Sequence, residues 1–219
     1  MKKPAISLLL LLLLSCNKES HPITIVVYNK GVAGNTSAQL VERVDKDVLS
    51  LSPKLVIIMI GTNDVGRKLP YEQYKANVTM LVNKIQEQGA KVMLLSPPPR
   101  GTAEIKSSSD FLNDRNDKIN LILDTLSRQL NCFYLDINSA FKKAGSPNAT
   151  AGSYILNQAN SPDKPDGVHL TSEGGRFLAA RVKEYMVNNN LTSLNLIICF
   201  GDSLTAGSGY PIALQASLN

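Results

Sequence analysis

Short apolar runs rich in β-branched residues alternate along the chain with longer stretches in which apolar residues recur every three or four positions. The short runs are typical of buried strands, and the longer stretches are typical of helices with one buried face. Strands are predicted at residues 23–28, 55–60, 91–96, 132–137 and 196–200. Helices are predicted around residues 40–51, 71–88, 119–130 and 177–186.

This alternation of strands and helices indicates the α/β class. Successive βαβ units build a mostly parallel sheet with helices on both faces, here with five strands. The chain is long enough for one sizeable core and too short for two ordinary α/β domains, so one domain is expected. Two segments are predicted to be irregular. Residues 97–109 begin with three prolines and are expected over the carboxyl edge of the sheet, and residues 138–168 are loop-like.

The amino terminus has the pattern of an export signal. Met1-Lys2-Lys3 precedes an apolar stretch from Ala5 to Leu14, then Ser15 and Cys16. The stretch is shorter than the roughly 20 residues that span a bilayer, and the pattern resembles a bacterial lipoprotein signal. It predicts removal of residues 1–15, lipidation of Cys16, a tether over 16–22 and a folded domain over 23–219. The alternative is ordinary signal cleavage, with Cys16 lost or free.

The predicted location is therefore a membrane-anchored bacterial lipoprotein on the periplasmic or cell-surface side. Charge gives little further guidance. The formal net charge is +5 and falls to +3 without Lys2 and Lys3. Basic residues stand among acids, as in Glu42-Arg43, and are interpreted as solvated surface. Since no basic stripe is present, nucleic acid is not expected as a partner.

Ser203 is the candidate nucleophile. It follows the predicted strand 196–200 by three residues, with Gly201 and Gly207 on either side. Ligands bind at the carboxyl edge of parallel sheets, so both the position and the residue type of Ser203 suit a reaction there.

A serine hydroxyl needs a base, and the chain has two histidines. His21 lies in the predicted tether, which leaves His169. Asp166, three residues earlier, can hold one ring nitrogen while the other faces Ser203. The alternative for this Asp-x-x-His stretch is a turn followed by the start of a helix.

Acyl transfer also needs hydrogen-bond donors for the oxyanion. Gly34 offers a backbone N–H, Asn63 offers a side-chain amide, and Ser203 offers its own N–H. Each has an ordinary structural alternative. Gly34-Asn35 is a common turn, and Asn63-Asp64 can cap a helix.

Four blocks of the sequence resemble those of the SGNH, or GDSL-type, hydrolases. The blocks are Gly201-Asp202-Ser203-Leu204, Gly34-Asn35-Thr36, Gly61-Thr62-Asn63-Asp64 and Asp166-Gly167-Val168-His169-Leu170. The resemblance implies a three-layer, flavodoxin-like fold around the five-stranded sheet. It implies the following roles: Ser203 as nucleophile, His169 as base, Asp166 as its partner, Gly34 and Asn63 with the Ser203 amide as the oxyanion hole, and Asp202 and Asp64 as structural residues.

One departure from the family is the order of the blocks, because the serine block comes last here and first in the family. The chain is therefore predicted to be circularly permuted, which proteins tolerate where their termini lie close together. This places residues 196–200 in the sheet between the strands at 23–28 and 55–60.

The resemblance implies an esterase that works through an acyl-serine intermediate without a metal or organic cofactor. The expected substrates are small-molecule, glycan or lipid esters with an acetyl or other short acyl group. A carbohydrate ester suits an exported lipoprotein, whereas Thr205-Ala206-Gly207 with Tyr210-Pro211 resembles the lysophospholipase and thioesterase-like branch. Two alternatives remain open: an acyltransferase that uses the same acyl-enzyme, and a glycan-binding lipoprotein without turnover.

Overall fold

Five parallel strands form one sheet in the computed structural model, which describes residues 24–101 and 106–219. The strands are β1 (Val26–Gly31), β2 (Leu55–Met59), β3 (Lys91–Leu95), β4 (Phe133–Leu135) and β5 (Leu196–Gly201). Their order across the sheet is β1-β5-β2-β3-β4. Phe200 of β5 pairs with Lys30 on one side and Ile58 on the other, so the last strand lies between the first two. The predicted position of this strand is confirmed.

Helices cover both faces of the sheet. They are α1 (Ser37–Asp47), α2 (Thr62–Gly66), α3 (Tyr71–Glu87), α4 (Lys106–Gln129), α5 (Ile137–Lys143), α6 (Ser172–Asn188), α7 (Ser203–Ala206) and α8 (Tyr210–Leu218). A single 3₁₀ turn, Leu49–Leu51, follows α1. Within the described ranges, no helix combines the length and apolarity that a membrane span requires.

Alternate side chains of each central strand enter two separate hydrophobic cores. On one face, Ile57 and Cys199 pack with residues of α5, α6 and α8. On the other face, Ile58 and Phe200 pack with residues of α1, α3 and α4. Because side chains alternate across a strand, a strand buried on both faces has a continuous run of apolar residues in its sequence. The predicted three-layer α/β fold is confirmed.

Two predicted loop boundaries are wrong. Helix α4 begins at Lys106, so the irregular segment expected through residue 109 ends earlier, and α5 occupies residues 137–143 at the start of the expected loop. Asn116 occupies a core position of α4 with only 1% of its surface exposed, which interrupts the apolar period. Helix α5 is short and depends on a cap, because the Asp136 side chain accepts a hydrogen bond from the Ser139 amide.

The predictions for residues 1–23 lie outside the described residues. They comprise the signal segment, the lipidated Cys16, the tether with His21 and the first predicted strand residue, Ile23.

Candidate active site

Ser203 is the first residue of α7, directly beyond the carboxyl end of β5. Asp202 caps this helix, and its Oδ1 accepts a hydrogen bond of 2.9 Å from the Leu204 amide. Gly201 permits the close approach of β5 to β2, because a Cβ atom at this position would lie 2.3 Å from the Met59 carbonyl oxygen. The local sequence therefore places the Ser203 side chain at the sheet edge where ligands bind in this class of fold.

Ser203, His169 and Asp166 form a continuous hydrogen-bonded chain. His169 Nδ1 lies 2.7 Å from Asp166 Oδ2, and His169 Nε2 lies 3.0 Å from Ser203 Oγ. An ionised carboxylate only accepts hydrogen bonds, so Nδ1 carries the ring hydrogen and Nε2 is left to accept one from the Ser203 hydroxyl. The arrangement can move the hydroxyl proton to the imidazole.

Hydrogen bonds to backbone groups fix the loop that carries Asp166 and His169. Asp166 Oδ1 accepts hydrogen bonds of 2.9 Å from the amides of both Val168 and His169, and Gly167 between them has φ +67°. Leu156 exchanges backbone hydrogen bonds with the same loop, donating to the His169 carbonyl and accepting from the Gly167 amide. The orientation of the imidazole is thus set before a substrate binds.

Asp166 is held in its charged form. Burial acts to raise the pKa of Asp166, but hydrogen bonds from the His169 amide, the Val168 amide and the His169 ring outweigh it and lower the pKa. The Asp166 side chain is 27% exposed and that of His169 is 42% exposed, so the site is open to a ligand.

The predicted oxyanion donors lie at the same edge of the sheet. Asn63 Nδ2 donates to the Asn35 carbonyl oxygen at 2.9 Å and lies 3.5 Å from Asp202 Oδ2. Gly34 lies in the exposed turn after β1 with φ +79°. Among the described residues, no protein acceptor takes the amide hydrogen of Gly34 or of Ser203. Both amides are available to a ligand.

Two buried aspartates, Asp64 and Asp202, are predicted to be structural, and Asp64 joins two helices. Asp64 accepts hydrogen bonds from the amide and the hydroxyl of Ser37, which ties α2 to α1. Burial raises the pKa of Asp64 despite these bonds. Burial also raises the pKa of Asp202 to about 7, and the nearby Asp64 adds to the rise.

Two arginines at the site were not identified from the sequence. The interpretation of Arg43 as solvated surface is wrong, because its side chain is 16% exposed, stacks over the Phe200 ring and donates to the Gly201 carbonyl at 2.8 Å. Arg100 donates to the Thr62 carbonyl at 2.7 Å, beside Asn63. The three prolines before Arg100 predict that its segment lies over this edge of the sheet. No sequence signal distinguishes Arg100 from the other residues of that segment.

Ser203 and His169 open into a small cleft of about 190 Å³. Asp166, Lys164 and Leu170 line it together with Leu156. The cleft combines a nucleophile, a base and the free Ser203 amide in a space that suits a small group.

The chain is similar in sequence to proteins named as esterases. The family model of GDSL-like lipases and acylhydrolases matches residues 17–177. The acetylxylan esterase of Geobacillus stearothermophilus is 28% identical over 128 residues, which cover 53% of this chain and 56% of that protein. The chain thus spans little more than half the length of this relative. The uncharacterized lipoprotein YqeF of Bacillus subtilis is 23% identical over 178 residues, 72% of each chain.

A solved structure shows the same fold. The crystal structure of Axe2, an acetylxylan esterase from Geobacillus stearothermophilus, superposes with a TM-score of 0.56 at 22% identity. The superposition covers 71% of this chain and 69% of that one. At this identity the likeness is one of architecture, and roles of individual residues rest on the geometry described above.

Proposed function

The chain belongs to the GDSL-like lipase/acylhydrolase family, and from this premise we propose that it is a serine esterase that hydrolyses short-chain carboxylic esters through an acyl-serine intermediate. The observation that carries the proposal is the hydrogen-bonded chain from Asp166 through His169 to Ser203. It matches the arrangement that nucleophilic catalysis by serine requires.

In the first half of the reaction, Ser203 Oγ attacks the ester carbonyl carbon while its proton passes to His169 Nε2. Negative charge develops on the carbonyl oxygen, where the amides of Ser203 and Gly34 and the side chain of Asn63 donate hydrogen bonds. The tetrahedral intermediate collapses, the bond to the alcohol oxygen breaks, and the imidazolium returns its proton to that oxygen. The alcohol leaves, and the acyl group remains on Ser203.

Water completes the cycle in the second half. His169 Nε2 takes a proton from the water as its oxygen attacks the acyl carbon, and the same proton is then given back to Ser203 Oγ as the acid departs. Asp166 stays ionised and stabilises the imidazolium in both halves, which its lowered pKa favours. Every proton transfer is provided by these side chains, so the mechanism needs no metal or organic cofactor.

The size of the cleft supports a short acyl group. Its volume of about 190 Å³ corresponds to about six water molecules at ~30 Å³ each. An acetyl ester fits this space, and the names of the acetylxylan esterase relatives support a carbohydrate ester as the substrate. Lipidation of Cys16 and anchoring to a membrane form part of the same proposal, supported by the signal-like sequence and by the relative named as a lipoprotein.

The test is covalent labelling by a fluorophosphonate probe combined with hydrolysis of p-nitrophenyl acetate. We expect the native protein to be labelled and to turn over the ester. Ser203→Ala should lose the label, and its kcat/KM should fall by roughly 10⁴- to 10⁶-fold. The control is Ser193→Ala, which changes an exposed serine in the loop before β5. Labelling that survives in Ser203→Ala would exclude Ser203 as the nucleophile.

Chain-length selectivity tests the second part of the proposal. We expect p-nitrophenyl acetate and butyrate to be hydrolysed with higher kcat/KM than the octanoate, because the longer chain exceeds the cleft. A preference for the octanoate would show that the acyl group binds elsewhere.

A further inference from the structure

A second pocket of about 170 Å³ adjoins the catalytic cleft. Leu156 lines both spaces, and the Gly101 amide at the edge of the second pocket donates a hydrogen bond of 2.8 Å to the Gly167 carbonyl, next to Asp166. An ester bound with its acyl group at Ser203 therefore has this pocket beside it.

The wall of the pocket formed by residues 146–160 is held together by side-chain amides. Asn157 Nδ2 donates to the carbonyl oxygens of Asn148 and Thr150, and Asn160 Nδ2 donates to those of Ser153 and Ile155. These bonds shape the pocket without a ligand, so binding need not order the loop. They also occupy the amide donors.

Arg100 is a charged donor that this network leaves for a ligand. A guanidinium carries five N–H groups, and among the described residues the acceptor recorded for the Arg100 guanidinium is the Thr62 carbonyl oxygen. Burial lowers the pKa of Arg100, and the carboxylates of Asp202 and Asp166 nearby oppose that shift. Because these two carboxylates would repel an anion, a neutral oxygen acceptor is the better match for the guanidinium.

The rest of the lining suits the carbon face of a ring. Pro147, Ile155 and Leu156 contribute apolar surface to the lining. The volume of 170 Å³ equals that of about six waters, which is room for a ring but not for a long chain. Clefts with apolar walls and a few fixed polar groups are typical small-molecule sites.

We infer that this pocket binds one neutral sugar ring as the alcohol portion of the ester, with a hydroxyl or ring oxygen of the sugar accepting a hydrogen bond from Arg100. The inference rests on the proposed esterase function and assigns the substrate class as short-acyl esters of neutral sugars. Phospholipid-type esters, whose phosphate is anionic, fit the pocket less well.

The test fills the pocket and compares two esters of the same acid. Ala149 lines the pocket, whereas Ala151, two residues later, does not, and both are exposed. The substrates are an acetylated methyl β-xyloside and methyl acetate, whose alcohol is too small to enter the pocket. We expect Ala149→Trp to lower kcat/KM for the xyloside at least tenfold more than for methyl acetate, mainly through KM. The control Ala151→Trp should keep the native ratio.

Inhibition provides a second readout. Unesterified methyl β-xyloside should inhibit methyl acetate hydrolysis competitively in the native protein, and this inhibition should weaken at least tenfold in Ala149→Trp. Arg100→Met should lower the xyloside-to-methyl acetate ratio, and Arg100→Lys should restore part of it because a donor remains.

The outcomes separate the two proposals. If the native protein neither hydrolyses methyl acetate nor reacts with a fluorophosphonate, the proposed function itself fails. If it does both but Ala149→Trp changes the two substrates equally, the pocket does not bind the alcohol and the esterase proposal stands. A native preference for an acetylated uronic acid over the acetylated xyloside would overturn the assignment to neutral sugars.

Discussion

Asp202, the residue before the proposed nucleophile, is a buried carboxyl whose ionisation is costly to the fold. The residue is 0% exposed, and burial raises the pKa of its carboxyl to about 7. Its hydrogen bond from the Leu204 amide acts against that rise without cancelling it. The carboxyl caps α7, and its Oδ2 lies 3.5 Å from Asn63 Nδ2, so it helps to position both proposed site residues.

The raised pKa of Asp202 predicts a pH-dependent stability. The folded-state pKa lies above the unfolded value, so the folded state binds more protons between pH 4 and 7 and the free energy of unfolding falls as pH rises through this window. A rise from 3.8 to about 7 corresponds to at most about 4 kcal/mol. Asp202→Asn should remove the contribution of Asp202 to the pH dependence of the free energy of unfolding. The measurement is urea unfolding at pH 5 and pH 8.

The control for this measurement is Asp163→Asn, which changes an exposed aspartate in the loop before Asp166. It should keep the native difference between pH 5 and pH 8. If Asp202→Asn keeps the same difference as the native protein, the charge of Asp202 is not the source of the pH dependence.

At the level of elements, α8 protects the exposed edge of the sheet. β1 is the outermost strand on its side, and an open strand edge can pair with other chains. Gln215 of α8 accepts a hydrogen bond from the Val27 amide and donates one to the Ile25 carbonyl oxygen, and Asn219 makes the corresponding pair with Ile25. Side-chain amides thus take the place of a neighbouring strand.

Gln215→Ala should therefore weaken the edge of β1. Loss of the two hydrogen bonds is expected to cost roughly 1–3 kcal/mol in the free energy of unfolding and to increase hydrogen exchange at the Val27 amide. Ile212→Ala is the matched control on the same helix, since Ile212 is 73% exposed, and it should change stability by less than about 0.5 kcal/mol. Unchanged exchange at Val27 would show that Gln215 does not protect the strand.

The elements also show what the sequence can and cannot predict. The strands were found because both faces of the sheet are buried, and the proposed site residues were found because they follow strand ends or lie in a short local motif. The apolar pattern does not predict the start of α4, because Asn116 fills a core position. The sequence does not predict the contacts of Arg43 and Arg100, because their partners are carbonyl oxygens of distant segments and no pattern along the chain encodes such pairs.

For the whole molecule, the order of the strands agrees with a circular permutation. β5 is last in the sequence and lies between β1 and β2 in the sheet. The family model matches residues 17–177 and ends before β5, as expected if the serine block has been moved. We therefore propose that the chain is a permuted member of its family. Asn219 Oδ1 accepts a hydrogen bond from the Ile25 amide at 2.9 Å, so these two points of the chain are adjacent.

This proposal predicts that the chain still folds when its sequence blocks are put back in the order usual for the family, with the serine block first. The variant joins residue 219 to residue 24 through a short Gly-Ser linker and opens the chain between the exposed Thr192 and Ser193, so that residues 193–219 come first. Because every strand pairing is kept and only loop closure changes, the free energy of unfolding should change by no more than about 2 kcal/mol. Fluorophosphonate labelling of Ser203 should be retained.

The same linker with an opening between Val56 and Ile57, inside β2, should abolish folding. If the variant opened at residue 192 fails to fold as well, the present connection from α6 to β5 is required by the fold, and the permutation proposal is wrong.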